Sequence, residues 1–312
     1  MSFENGLLSY YEKDGNVLIS SPIKLNAYRA PIDNDGIINW NERWIKKWDE
    51  ILLKHFEFLC HETKVTKSDD VITVAASGKF APISKYVGFE TEITYKIHKN
   101  GEILVSIHQT PYGRMTEVLP RLGVKIEMDK AFKNVTWYGR GEDENYVDRK
   151  AHTNFGLYTK NIDDLNFQYD IPQECGTRID NSFVSVKSEN AGLSVIGSDN
   201  FTFSYHDFTL ENLTDARHRN ELKKSNKNYL YIDYQMRGLG SHSCGPNPEE
   251  QYELRPHEYR FVFMLSGKTK EGELLKLSRK NLGIKTEKLS DTYTYEIIEG
   301  RINVIECNIN ND

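Results

Sequence analysis

The residues best equipped for chemistry sit in Gly238 to Pro246, GLGSHSCGP. His242 and Cys244 are two apart, so on extended chain they face the same way. An imidazole beside a thiol can make a nucleophile, and the pair could hold half a metal site. Two ligands are not a site, and no further Cys/His cluster accompanies them. A lone thiol reads first as a small buried apolar group. A second concentration is Ala30 to Gly36, APIDNDG. Pro31 fixes one φ, Asp33, Asn34 and Asp35 can bond nearby backbone N–H groups, and Gly36 permits a sharp exit. The preferred reading is a structured turn that starts the next helix, and the alternative is an edge offering acceptors to sugar hydroxyls. Its oxygens are too few for a calcium loop. A third, WYGRGEDENYVDR, spans Trp137 to Arg149. Glu144 stands where a dinucleotide fingerprint needs its third glycine. Among Glu142, Asp143, Glu144 and Asp148 there could be an acid/base pair of the kind that cleaves glycosides. Spacing does not place two of them across a substrate, and a turn with Asp148 paired to Arg149 is the preferred reading. Pro172 to Arg178, PQECGTR, reads as a loop entering a strand.

These stretches need elements to hold them, and most of the chain reads as antiparallel strand. Leu230, Ile232, Tyr234 and Met236 alternate with Tyr229, Tyr231, Asp233 and Gln235, a period of two that makes GLGSHSCGP a strand exit. Phe89 to Ile97 alternates likewise, and Asn100-Gly101 predicts a two-residue turn because both positions tolerate positive φ. Similar patterns run through Val124–Met128, Phe201–Tyr205 and Tyr259–Leu265. Many strands joined by Gly/Asn/Asp turns predict an all-β antiparallel sandwich with one or two short helices. Trp40, Trp44 and Trp48, then Ile51, Leu52 and Phe56, draw one apolar stripe that predicts a helix from about Asn39 to Leu59. A shorter helix is expected over Leu210 to Leu222. The chain divides into residues 1–267 and an extension, 268–312. In the extension, Lys270 to Gly283 reads as a helix closed by Gly283, and a hairpin follows that turns at Glu299-Gly300.

The chain has 312 residues and a net charge of -6. That length allows a substantial core. No basic block suggests a nucleic-acid partner. Cys60, Cys175, Cys244 and Cys307 are widely spaced, which fits a reducing compartment rather than a disulfide framework. No apolar run nears the roughly 20 residues that span a bilayer. The first residues lack the charge and apolar pattern of a signal peptide. The expected location is cytoplasmic, with no membrane partner.

Five stretches in order, NAYRAPIDND, WYGRGEDENYVDR, PQECGTRID, HRNEL and IDYQMRGLGSHSCGP, give the chain a resemblance over about Phe3 to Leu265. It resembles the C-terminal β-sandwich domain of glycoside hydrolase family two β-galactosidases, which is a separate small subunit in two-chain members. The resemblance implies an antiparallel supersandwich similar to galactose mutarotase. It implies a non-catalytic part that completes the pocket of an enzyme hydrolysing β-galactosides such as lactose, oligomeric when assembled. The catalytic glutamates, magnesium and sodium would lie on a partner barrel, or large subunit. No β/α alternation here reads as that barrel, so no catalytic residue, metal site or cofactor is expected in this chain, and alone it should be inactive. By the same match, His242, Ser243 and Cys244 form a pocket-wall loop, with Cys244 where some members carry a sugar-stacking tryptophan. Asp35 and Gly36 border the pocket. Two other functions compete. A freestanding mutarotase or epimerase would need a His acid and a Glu base, with His152, His206 and His218 available. A carbohydrate-binding module would use exposed aromatics.

Overall fold

The computed structural model describes residues 1–37, 44–240, 246–298 and 301–309, the side chains only up to 290. Trp40, His242, Ser243, Cys244 and the turn residues Glu299 and Gly300 therefore lie outside the described residues.

The strands in chain order are β1 (Ser2–Glu4), β2 (Leu7–Lys13), β3 (Asn16–Ile19), β4 (Lys24–Asn26), β5 (Glu57–Lys67), β6 (Val71–Ala81), β7 (Val87–His98), β8 (Ile103–Gly113) and β9 (Arg121–Asp129). They continue as β10 (Asn134–Gly141), β11 (Asn154–Asn161), β12 (Arg178–Lys187), β13 (Gly192–His206), β14 (Lys227–Met236), β15 (Tyr259–Ser266), β16 (Glu287–Lys288), β17 (Ser290–Ile298) and β18 (Arg301–Ile309). Every ladder is antiparallel, as the alternation predicts. The main sheet runs β11-β10-β12-β13-β15-β8-β7-β6-β5. β13 turns it into a sandwich by serving both layers. Ser194 to Gly197 pair with β15, and Thr202 to His206 pair with β14. β14 pairs in turn with β9, and β9 with β4.

The core lies between the layers. Phe89, Ile93 and Tyr95 of β7 meet Val105 and Ile107 of β8, Val124 and Ile126 of β9, Leu230 and Ile232 of β14, and Phe261 and Phe263 of β15. These are the residues on one side of each alternation, which is why the pattern was readable. The opposite side of β14 is also buried. Tyr229, Tyr231 and Asp233 are covered, and Asp233 meets Arg121 beneath them.

Four local expectations need correction. The tryptophan helix is only α1 (Trp44–Glu50), followed by a single 3-10 turn at Leu53–His55. Leu52 takes a left-handed φ of 58° that ends the helix, and from Glu57 the chain pairs in the β5–β6 ladder, which includes Leu59. The stripe itself is real: Trp44 and Trp48 are buried, and the Trp48 indole donates to Val118 O at 3.0 Å. The second helix, α2 (Leu210–Asp215), is capped by Thr209 and stops at an extended Ala216. A separate turn, Arg219–Glu221, then forms where Glu221 accepts from Arg217 N. The third, α3 (Glu271–Leu277), ends at Ser278, not Gly283, which serves a later turn with φ +80°. The β7–β8 turn runs from His98 to Glu102, with Gly101 alone at positive φ. The two-residue form occurs instead at Asn5-Gly6 and Asp14-Gly15, where both residues have positive φ.

α3 lays Leu274 and Leu277 on the outer face of the sheet, against Leu104, Phe183, Ile196, Val262 and Met264. Residues 268 to 290 are thus packed on the sandwich, and β16 extends β15. β17 and β18 pair with each other, Ile298 opposite Arg301.

Candidate functional site

β9 lies between β4 and β14 and carries both to one end of the sandwich. Arg29 stands just beyond β4, and Arg237 directly follows β14. Both are fully buried, as is Asp35. Burying guanidinium groups is tolerable only when their donors and charge are matched, and here they are. Arg29 grips Asp35 through Nη2, at 3.0 Å and 3.1 Å to the two carboxylate oxygens. Its Nη1 donates to Arg237 O at 2.7 Å, and Nη2 reaches Gly238 O at 3.3 Å. Arg237 Nη1 donates to Asp35 Oδ1 at 2.8 Å, and its other side takes both oxygens of Glu253 at 2.5 and 2.9 Å. Two arginines face two carboxylates. Asn247 joins the group: its oxygen accepts from Arg237 Nη2 at 3.0 Å and from the Trp44 indole at 2.7 Å. The Arg237 guanidinium lies 5.1 Å above the Trp44 ring.

This cluster holds together the two stretches that the sequence singled out. Asp35 is the hub of the DND turn, accepting also from Ile32 N. Its carboxylate faces inward with no exposed surface, so it shapes the turn rather than offering oxygens at the edge. Gly36 follows with φ 113° and its N bonded to Asp33 O. Asn34 donates to Leu239 O at 2.8 Å, and Gly238 N to Tyr252 O at 3.0 Å. The entrance to the GLGSHSCGP loop and the APIDNDG turn are therefore one piece of structure. The loop residues His242, Ser243 and Cys244 lie outside the described residues, as stated.

The WYGRGEDENYVDR carboxylates do not gather as an acid/base pair. Glu142 and Asp143 point outward beside Lys160, at 3.6 and 3.7 Å. Glu144 is buried, taking Gly176 N at 2.7 Å and the Tyr169 hydroxyl at 2.5 Å. Asp148 accepts from Gly240 N at 2.8 Å instead of pairing with Arg149. PQECGTR enters β12 as expected, but its polar groups are interior. Arg121 holds Asp233 at 2.7 Å, with Glu174 at 3.8 Å. Burial pushes Glu174 up from the ordinary carboxylate range, against the opposing pull of Arg121. Burial also pushes the Cys175 thiol well up from its ordinary value.

The three histidines that an epimerase would draw on are committed elsewhere. His206 is buried beside Phe208 and Tyr231, and burial, helped by Arg121 and Arg178, lowers it to about 3. It stays neutral and cannot act as an acid at neutral pH. His218 is exposed and bonds Glu221 at 2.9 Å. His152 donates to Glu144 O at 3.2 Å. Among the described residues no three His, Cys, Asp or Glu side chains are placed to hold a metal ion, and no helix is long and apolar enough to cross a membrane.

Sequence reasoning gave no role to Arg29, Arg237, Glu253 or Asn247. Arg29 and Asp35 are six residues apart within one motif, a spacing of no regular element. Arg237 and Asp35 are brought together only by the fold.

Among the solved structures similar to this chain are a galactose mutarotase related enzyme from Lactobacillus acidophilus and a putative aldose 1-epimerase from Escherichia coli K12. The first has a TM-score of 0.32 at 12% identity, covering 67% of this chain and 72% of that one. The second has a TM-score of 0.31 at 9% identity, covering 82% and 78%. The antiparallel sandwich rests on its own strand pairing, not on these likenesses. Sequence relatives are nearer. A β-galactosidase of Actinobacillus pleuropneumoniae is 34% identical over 265 residues, which are 84% of this chain and 25% of that protein. Those of Kluyveromyces lactis and Photobacterium profundum are 29% and 30% identical, over 78% and 84% of this chain and 23% and 25% of theirs. The chain thus spans about a quarter of the length of these relatives. The family described as "Beta galactosidase small chain" matches residues 1–265. This chain belongs to the β-galactosidase small chain family.

Proposed function

We propose that this chain is the non-catalytic part of a β-galactosidase, a domain or small subunit that completes the pocket in which terminal β-D-galactosides such as lactose are cleaved. The observation that carries the reading is the shared buried base beneath two stretches at one end of the sandwich. Arg29, Asp35 and Arg237 lock the turn at Asp33–Asp35 to the strand exit at Gly238, so both are presented as one rigid edge. Rigid scaffolds carrying loops at one end are where partner and ligand contacts concentrate. The relatives' remaining three quarters supply room for a catalytic portion.

In this reading the catalytic glutamates, magnesium and sodium belong to the partner barrel. Ser243, His242 and Cys244 face the galactoside as part of the pocket wall, and Gly36 borders it. Asp35 acts through the turn it holds. Cys244 gives a small polarizable contact and not a nucleophile. The assembled enzyme is an oligomer in the cytoplasm, with no role for nucleic acid or membrane.

The test is Cys244→Ala in the assembled enzyme. The fold should persist by circular dichroism, and KM for a nitrophenyl galactoside should change more than kcat. Loss of kcat to background with the fold intact would put the thiol in the chemistry and sink the reading.

A further inference from the structure

Asp148 lies on a tight turn in which Tyr146 and Arg149 exchange both backbone hydrogen bonds, at 3.1 and 2.9 Å. Asn145 ties that turn to the start of β12: its N donates to Thr177 O at 2.8 Å, and its side-chain oxygen accepts from Ile179 N at 3.0 Å. The carboxylate projects from this support into the strand exit. Asp148 Oδ2 accepts from Gly240 N at 2.8 Å. Its other oxygen, Oδ1, is buried and has no hydrogen-bond partner among the described residues.

The glycines of the exit are shaped around this carboxylate. A Cβ on Gly238 would lie 2.5 Å from Asp148 Oδ2 and 2.7 Å from Cγ. Gly240 has φ +128°, a region that other residues rarely adopt. A Cβ there would meet Asn34 Nδ2 at 2.2 Å and Pro246 O at 2.7 Å. Two consequences follow. Gly240 is held from both sides, by Asp148 at its N–H and by Asn34 at the neighbouring Leu239 O. And the departing chain at Gly240 passes so close to the returning chain at Pro246 that an added Cβ has no room between them.

We infer that Asp148 is a positioning residue: it clamps the backbone at Gly238–Gly240, where the chain leaves β14 at the edge of the proposed pocket, and so supports substrate binding there. The substrate half of this inference rests on the proposed pocket-wall function. The clamp itself does not.

The test uses Asp148→Ala and Asp148→Asn, read two ways. Amide hydrogen exchange on the full chain reads the clamp. In Asp148→Ala the Gly240 amide should exchange at least about tenfold faster, with β14 amides unchanged. Asp148→Asn, whose carbonyl oxygen accepts the same bond, should keep it protected. Hydrolysis of a nitrophenyl galactoside by the assembled enzyme reads the consequence. Asp148→Ala should raise KM about fivefold with kcat within about twofold, and Asp148→Asn should restore it. Should the alanine variant not fold, Asp148→Ser, too short to reach Gly240 N, takes its place. Unchanged exchange at Gly240 overturns the clamp. Faster exchange with unchanged KM overturns the positioning role. A wild-type assembly that hydrolyses nothing removes the pocket-wall function and the KM effect with it, and the exchange result still decides the clamp.

Discussion

Arg237 ties four side chains and its own strand exit into one point. Its replacement by Leu strands Asp35 and Glu253, two buried carboxylates left with too little positive charge. Breaking such a pair from one side costs about 3–5 kcal/mol, and we expect that loss for Arg237→Leu in urea denaturation. A loss below about 1 kcal/mol would mean that the cluster is not what holds this end together. His206 makes a second prediction with a definite sign. Its folded value is about 3 and its ordinary value 6.5, so between those pH values the unfolded chain binds a proton that the native chain refuses. Stability from this residue therefore rises with pH from about 3 to 6.5 and is lost on acidification, at up to about 1.4 kcal/mol per pH unit. Glu174, pushed up by burial, acts in the opposite sense. The difference between wild type and His206→Asn isolates the histidine: its slope should vanish in the variant, and parallel stability curves would refute the assignment. At this scale the sequence was only half readable. Asp35 stood out as a residue that bonds local backbone in a structured turn, and it does accept from Ile32 N, while the alternative of an edge acceptor fails because its carboxylate is turned inward. Arg29 and Arg237 did not stand out, because an arginine beside Ala and Pro, or beside Gly, has no periodic signal and its partner is chosen by the fold.

The strands were legible because a two-layer sandwich imposes a period of two wherever one face is covered by core and the other is not. β7 shows this plainly, with Phe89, Ile93 and Tyr95 inside and Glu90 and Glu92 outside. Helix lengths were not legible, because the apolar stripe continues past the point where the backbone changes course. Ile51, Leu53 and Phe56 are all buried beyond the end of α1, yet Leu52 is left-handed and the next residues enter a ladder. Burial was conserved along that stretch while the conformation was not. α3 gives the prediction at this scale. Leu274 is fully buried against the outer face of β15 and β13, so Leu274→Ala should cost about 2–5 kcal/mol. Urea denaturation of the full chain reads it. A neutral result would mean that residues 268 to 290 are an appendage without a structural share in the sandwich.

Taken whole, the molecule is a sandwich in which β4 and β14 end where the antiparallel β9 begins, with the cluster of Arg29, Asp35 and Arg237 beneath the exit at Gly238. The family was visible in five ordered stretches, and four of them are now seen to hold interior polar residues: Arg29 and Asp35, Glu144, Glu174 and Arg178, and Asp233 and Arg237. Those positions are costly to bury and constrained by geometry, which is why they make recognisable motifs. The exception is HRNEL, an exposed turn closed by Glu221. What motifs of this kind cannot display is the partner that the presented edge meets. The central claim is that this chain completes a galactosidase and is not one itself. The most direct measurement is nitrophenyl-β-galactoside hydrolysis by the homogeneous chain alone, by the matching barrel-bearing polypeptide alone, and by the two mixed. The account predicts no turnover by this chain and activity that appears, or rises steeply, only on mixing. Turnover by this chain alone, or a barrel polypeptide fully active without it, would contradict the account.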